Sequence, residues 1–231
     1  MNRFLVLLFI LPLFFAAACG NDEKRNTKDI DPESIYFDYK IWGEESYDNI
    51  TVKLQFRIRN INGESILLED PAKVDLDGEV LKADSTKMTG VYYEVQKPAA
   101  SFTGKHTIIF TASNNKKYRE SFNFKPVTLG KPVPETLQRS DLIFEFNGLS
   151  SDDLVRVLMT DTSFLSEEIN RIDSVKNGRL IITKEELMAL SNGPVHMQII
   201  KEYEREIKNG TSRSGRLSIS YGLRREFILE D

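Results

Sequence analysis

The chain has 231 residues, with 31 Lys and Arg against 35 Asp and Glu, a net charge of −4, two histidines and one cysteine. A mildly acidic balance without a clustered basic face gives no electrostatic footprint for nucleic acid, and one cysteine excludes an intramolecular disulfide. The length suits two domains of about 100 residues better than one small sandwich.

Phe4 to Ala18 is an apolar run broken only by Pro12. It is shorter than the roughly 20 residues that a membrane-spanning helix needs. With Arg3 in front and small residues at its end, it reads as a signal peptide over residues 1–18. The sequence Ala16-Ala17-Ala18-Cys19 resembles the lipobox of bacterial lipoproteins. That resemblance implies recognition through Ala16, Ala17 and Ala18, cleavage before Cys19, and acylation of Cys19 as the membrane anchor. Gly20 after the cysteine is compatible with passage to the outer membrane. Asn21-Asp22-Glu23-Lys24 is similar to the acidic export signals of Bacteroidota surface lipoproteins, and leaves surface-facing and periplasm-facing placement both open. Residues 19–32 form a lipidated, flexible tether with no apolar periodicity.

Residues 33–126 read as a first sandwich. The stretch 51–59 alternates Val52, Leu54, Phe56 and Ile58 with Lys53, Gln55, Arg57 and Arg59, which places one face on a core and one in water. Tyr36 to Trp42, Val91 to Val95, Thr107 to Ala112 and Tyr118 to Phe124 are further short strands. Asn62-Gly63 and Asp77-Gly78 supply the left-handed turn chemistry of tight hairpins. The stretch from Thr103 to Thr111, followed by Tyr118 and Phe122-Asn123-Phe124, resembles the last hairpin of many bacterial Ig-like domains.

Residues 127–134 are a Pro-rich linker that reads as stiff. Residues 135–231 repeat the theme as a second sandwich. Leu142, Phe144 and Phe146 alternate, as do Val155, Val157 and Met159, and Ile172 to Ile182 form a hairpin around Asn177-Gly178. Thr183-Lys184-Glu185-Glu186 is a capping box that opens one helix, Lys184 to Leu190. Val195, Met197, Ile199 and Tyr203 define a strand, although the charged stretch Lys201 to Lys208 also admits a helix. Leu217, Ile219 and Tyr221, then Leu223, Phe227 and Leu229, close the domain as a final hairpin.

The motifs of phosphate loops, zinc proteases and serine hydrolases do not occur. His106 and His196 are ordinary strand residues without a partner at ligand spacing, and no cofactor or metal is implied. Asp75-Leu76-Asp77-Gly78-Glu79 lacks the later ligands of a calcium loop and reads as a turn. Asp152-Asp153 and Glu167-Glu168 are adjacent acids on loops, where neighbouring side chains diverge. Trp42 is the candidate ligand contact: it shares a strand face with Tyr36, while Tyr39 lies opposite. Asp84-Ser85-Thr86 and Asp173-Ser174-Val175 resemble the O-glycan acceptor motif of exported Bacteroidota proteins, which makes Ser85 and Ser174 candidate modification sites.

The whole chain resembles the outer-membrane lipoproteins of Bacteroidota, with signal peptide, lipobox, tether and tandem Ig-like sandwiches. The expectation is an all-β, non-enzymatic binding or assembly module that is membrane-anchored through Cys19 and contacts a protein or glycan. A small glycan-processing enzyme and a structural subunit of an envelope complex are the alternatives.

Overall fold

Alternating apolar and polar residues become strands almost throughout the computed structural model, which describes residue 27 and residues 30–150, 153–163 and 167–231. Residues 1–18, expected to be a signal peptide, and Cys19 lie outside the described residues. In chain order the strands are β1 (Ile35–Glu44), β2 (Asn49–Ile58), β3 (Lys73–Leu76), β4 (Glu79–Val80), β5 (Ala83–Thr86), β6 (Gly90–Pro98), β7 (Gly104–Thr111) and β8 (Lys117–Phe124). They continue as β9 (Thr128–Leu129), β10 (Thr136–Gln138), β11 (Leu142–Asn147), β12 (Leu154–Asp161), β13 (Ile169–Ser174) and β14 (Arg179–Ile182). A short helix, α1 (Lys184–Leu187), precedes β15 (Gly193–Glu206) and β16 (Gly215–Glu230).

The chain is an all-β sandwich. One layer is a nine-stranded sheet in the order β13-β12-β15-β16-β1-β2-β6-β5, with β10 also paired to β16. Two small sheets, β4-β3-β7-β8 and β14-β11-β9, cover its inner face. The join between the halves is the parallel pairing of β1 with β16, from Phe37 opposite Gly215 to Glu44 opposite Gly222. Strands from both sides of residues 127–134 therefore belong to one sheet. The proline-rich stretch itself contributes β9 and buried Val127, because Thr128 and Leu129 keep the amides that its prolines lack.

Odd-numbered residues of β1, β15 and β16 face inward. In the first half Phe37, Tyr39 and Phe56 meet Phe110 and Tyr118, with ring centroids 4.7–6.0 Å apart. Each buried ring contributes about 1.5–3 kcal/mol. In the second half Val155, Val157 and Met159 of β12 lie beside Ile199 and Met197 of β15, and this face is covered by Leu142, Phe144 and Leu180.

Several elements differ from their sequence reading. The final hairpin is one continuous strand: Leu217 to Leu229 keeps a single odd-numbered phase, and Gly222 within it stays in the ladder, opposite Ile200 of β15 and Glu44 of β1. Arg225 occupies an inward position in that run and reaches Glu45. The stretch 201–206 is strand, because Glu202, Glu204 and Glu206 point outward while Lys201, Tyr203 and Arg205 point inward. Of the hairpin expected over residues 172–182 only the tight turn forms, as an isolated antiparallel bridge between Lys176 and Arg179; beyond it β13 pairs with β12, and β14 pairs with β11. Asn177 (φ 53°) and Gly178 (φ 73°) turn the chain from the large sheet to a small one. The left-handed residue of the turn after β2 is Arg59, at φ 68°, rather than Asn62 or Gly63. The helix has the expected cap, with Glu186 N–H donating to Thr183 Oγ1 at 3.3 Å and Thr183 N–H to Glu186 Oε2 at 2.9 Å.

Glu33 clamps the entry of β1 to the rest of the molecule. It accepts from Lys116 Nζ (2.8 Å), Tyr118 OH (2.6 Å) and Ser212 N–H (2.9 Å). The bonds from Lys116, Tyr118 and Ser212 hold its carboxyl down at about 2. A carboxyl depressed below its unfolded value stabilises the fold at pH above about 4.5, and that contribution disappears as the pH falls toward 2. Glu33→Gln is expected to lower the thermal midpoint at pH 7 and to flatten its decline between pH 4.5 and 2, as measured by circular dichroism.

Candidate functional site

The inward face of β15 changes character without changing period. Val195, Met197 and Ile199 are buried, but Lys201, Tyr203 and Arg205 continue the same face where neither small sheet covers it. The result is a groove of about 690 Å³ between the two small sheets. Tyr203, Ile219 and Tyr221 line its floor; Ser121 to Lys125 of β8 and the segment after it form one wall, with Lys105 beside them. Gly148, Ser150 and Asp153 form the opposite wall. Gly148 is required there: its φ is +90°, and a Cβ would lie 2.3 Å from the Pro126 carbonyl oxygen.

Aromatic surface and positive charge meet in this groove. Tyr203 is 47 % exposed, whereas Tyr221 and Phe124 are buried and meet edge to face at 6.0 Å. Burial pushes the Tyr221 phenol up, and the charge of Glu45 adds to that. Two of the four cations are neutralised. Lys201 Nζ lies 2.7 Å from Asp153 Oδ2, which also accepts the Ser150 N–H at 2.7 Å. Burial pushes the Asp153 carboxyl up, but Lys201, the Ser150 N–H and the charge of Lys125 together hold it below the usual range. Arg205 Nη2 donates to buried Glu120 (2.6 Å) and to the Ser121 carbonyl (2.9 Å), closing one end of the groove. Lys105 and Lys125 are exposed and have no ion-paired carboxylate among the described residues.

Trp42 is 37 % exposed on the outer face of the large sheet, and Tyr39 is buried in the core as the strand alternation requires. Trp42 lies opposite Thr51 on β2 and Ser220 on β16, so small polar residues flank its ring. Tyr47, 62 % exposed, shares with it a shallow depression of about 390 Å³. Tyr36 is on the same face, near the buried Asp38 carboxylate that Arg216 Nε holds at 2.8 Å.

The remaining sequence candidates are dispersed. Ser85 and Ser174 lie on β5 and β13, the two outermost strands of the large sheet, each donating its own N–H to the carboxylate of the preceding aspartate. His106 is buried, stacked on Phe102 at 3.8 Å, with its ring nitrogens on Asp77 Oδ2 (2.7 Å) and the Phe102 carbonyl (3.1 Å). Asp77 Oδ1 also accepts the Thr107 N–H, so that acid anchors a turn. His196 is exposed beside Glu226. Asp152 lies outside the described residues, and Glu167 and Glu168 are exposed. No cluster of three or more His, Cys, Asp or Glu placed to hold a metal occurs among the described residues.

These features define a class: an all-β protein of packed sheets with an open, basic and aromatic groove between its halves. Neither a protein family nor a curated protein matches the chain. Among solved structures it is similar to the DIP-gamma IG1+IG2 fragment, at 10 % identity over 86 % of this chain and 98 % of that one, with a TM-score of 0.24. It is also similar to the Yersinia pseudotuberculosis adhesin InvE, at 12 % identity over 80 % and 58 % of the two chains, with a TM-score of 0.22. The SGBP-B protein of the Bacteroides ovatus mixed-linkage glucan utilization locus, solved with a heptasaccharide, is similar at 11 % identity over 81 % and 60 %, with a TM-score of 0.21. At such scores the shared feature is no more than layered β-structure.

Proposed function

We propose that the protein is a non-enzymatic binding or assembly module, anchored to the outer membrane through acylated Cys19, that holds a protein or glycan partner in the groove between its halves. The observation that carries this reading is the meeting of Lys105 and Lys125, neither held in an ion pair among the described residues, with the exposed ring of Tyr203 in one concave surface. Concave sites that combine apolar rings with a few placed polar groups are the usual form of a recognition surface. The acid on the groove wall, Asp153, is already held by Lys201 and Ser150, which suits a structural role better than proton transfer. Anchoring rests on Ala16-Ala17-Ala18-Cys19; acyl chains contribute about 0.8 kcal/mol per buried CH₂, so two or more hold a protein durably.

Two measurements test this proposal. Cys19→Ala is expected to move the protein from the membrane to the soluble fraction on cell fractionation; unchanged attachment overturns the anchor. On peptide and glycan arrays, Lys105→Glu combined with Lys125→Glu is expected to abolish the strongest signals of the unaltered protein; signals that persist unchanged overturn the groove as the binding surface. A second reading, favoured by Trp42 and Tyr47 exposed side by side, is sugar recognition on the outer sheet face. Trp42→Ala would then remove glycan signals alone.

A further inference from the structure

Strand β8 is an edge strand, paired with β7 on one side only. Main-chain groups alternate sides along a strand. The carbonyls of Arg119 and Ser121 face away from β7, because the side chains of Asn209 and Arg205 donate to them at 3.2 and 2.9 Å. By the same alternation the Ser121 N–H and both main-chain groups of Asn123 point along the free edge, and among the described residues nothing bonds to them. This free stretch forms the wall of the groove.

We infer that the groove receives an extended acidic polypeptide segment, which adds to the free edge of β8 as a further strand. The inference rests on reading the groove as the binding surface, and it names the class of partner. Unbonded amides on one strand edge suit a polypeptide, whose own groups recur on one side every second residue, about 6.6 Å apart. A sugar chain has no matching repeat. Charge then selects the segment. Lys105 lies opposite Asn123, and Lys125 follows two residues later on the same face, so acidic residues on that face of an added strand would stand beside ammonium groups that hold no ion pair among the described residues. Residues on its other face would look toward Tyr203 and Tyr221. The segment therefore alternates acidic with apolar residues.

Lysines on a free edge also serve to prevent strand addition, and the experiment separates the two roles. The full chain is titrated against a fluorescent peptide of about eight residues alternating Glu and Val, with fluorescence anisotropy as readout. Saturable binding is expected. Affinity should fall at least about tenfold for a Lys-Val peptide and for a Glu-Val peptide N-methylated at every amide. The same loss is expected for Asn123→Pro, whose missing N–H belongs to the free edge and not to the β7–β8 ladder. Lys125→Glu, a surface change, should lose the Glu-Val peptide and gain the Lys-Val one. Undiminished binding of the N-methylated peptide, or no binding of the Glu-Val peptide, overturns strand addition. Tetragalacturonate distinguishes the levels of failure: if it binds and the peptide does not, the groove remains a binding site for acidic sugars. If neither binds, the reading of the groove falls as well.

Discussion

Gly215→Ala is expected to lower the free energy of unfolding by about 3 kcal/mol, read as a fall in the urea midpoint. A Cβ at residue 215 would lie 2.4 Å from the carbonyl oxygen of Phe37 and 2.6 Å from its Cβ. Neither neighbour is the end of a flexible side chain, so β1 or β16 has to move. That pair opens the parallel register joining the halves, and Phe37 is packed against Tyr39, Phe56, Phe110 and Tyr118. Displacing it disturbs a ring cluster as well as a ladder. Two comparisons isolate the cause. Ser218→Ala, on the outer face of the same strand, is expected to change stability by less than about 0.5 kcal/mol. Gly43→Ala meets the terminal Cδ1 of Ile50 at 2.3 Å, which can rotate, and the Tyr221 ring at an ordinary 3.4 Å, and is expected to have a smaller effect than Gly215→Ala.

Arg205→Ala is expected to be destabilising by about 3–5 kcal/mol, the range for stranding one member of a buried ion pair. Glu120 is 3 % exposed and takes both Arg205 and the Lys208 N–H; without the guanidinium its charge is left in the interior with one donor. The loss comes from stranding a charge rather than from forfeiting a strong attraction. The double variant Arg205→Met/Glu120→Leu should therefore recover much of the stability that Arg205→Ala loses. Chemical denaturation of the singles and the double closes the cycle, and a double variant as unstable as Arg205→Ala would refute this account.

Strands were easy to read in the sequence where one face is buried along their whole length. Val52, Leu54 and Phe56, or Val155, Val157 and Met159, alternate because a covering sheet lies over each residue in turn. Legibility fails where cover ends partway along a strand. In β15 the inward positions pass from Ile199 to Lys201, Tyr203 and Arg205 while the backbone continues unchanged, and the charge resembles a helix surface. That break in burial is the groove, so the local ambiguity of the sequence and the candidate site have one physical origin. The odd separation of Trp42 from Tyr39 put the two on opposite faces, yet which face is outward, and its neighbours Thr51 and Ser220, depend on strands whose register no local pattern specifies. The join of β1 to β16 was invisible for the same reason: each strand shows only its own alternation.

That join also governs the order of events during synthesis. Asp38 and Arg216, bonded across it, are 178 positions apart in the chain. Closing a loop of this size costs entropy before any contact returns it, and folds dominated by such pairings form slowly. Until β16 has emerged, β1 has no neighbour on that side, and β2 and β6 carry an incomplete sheet with its edge open. The half of the protein that is made first therefore remains unfinished until the last sixteen-residue strand arrives to complete both halves together.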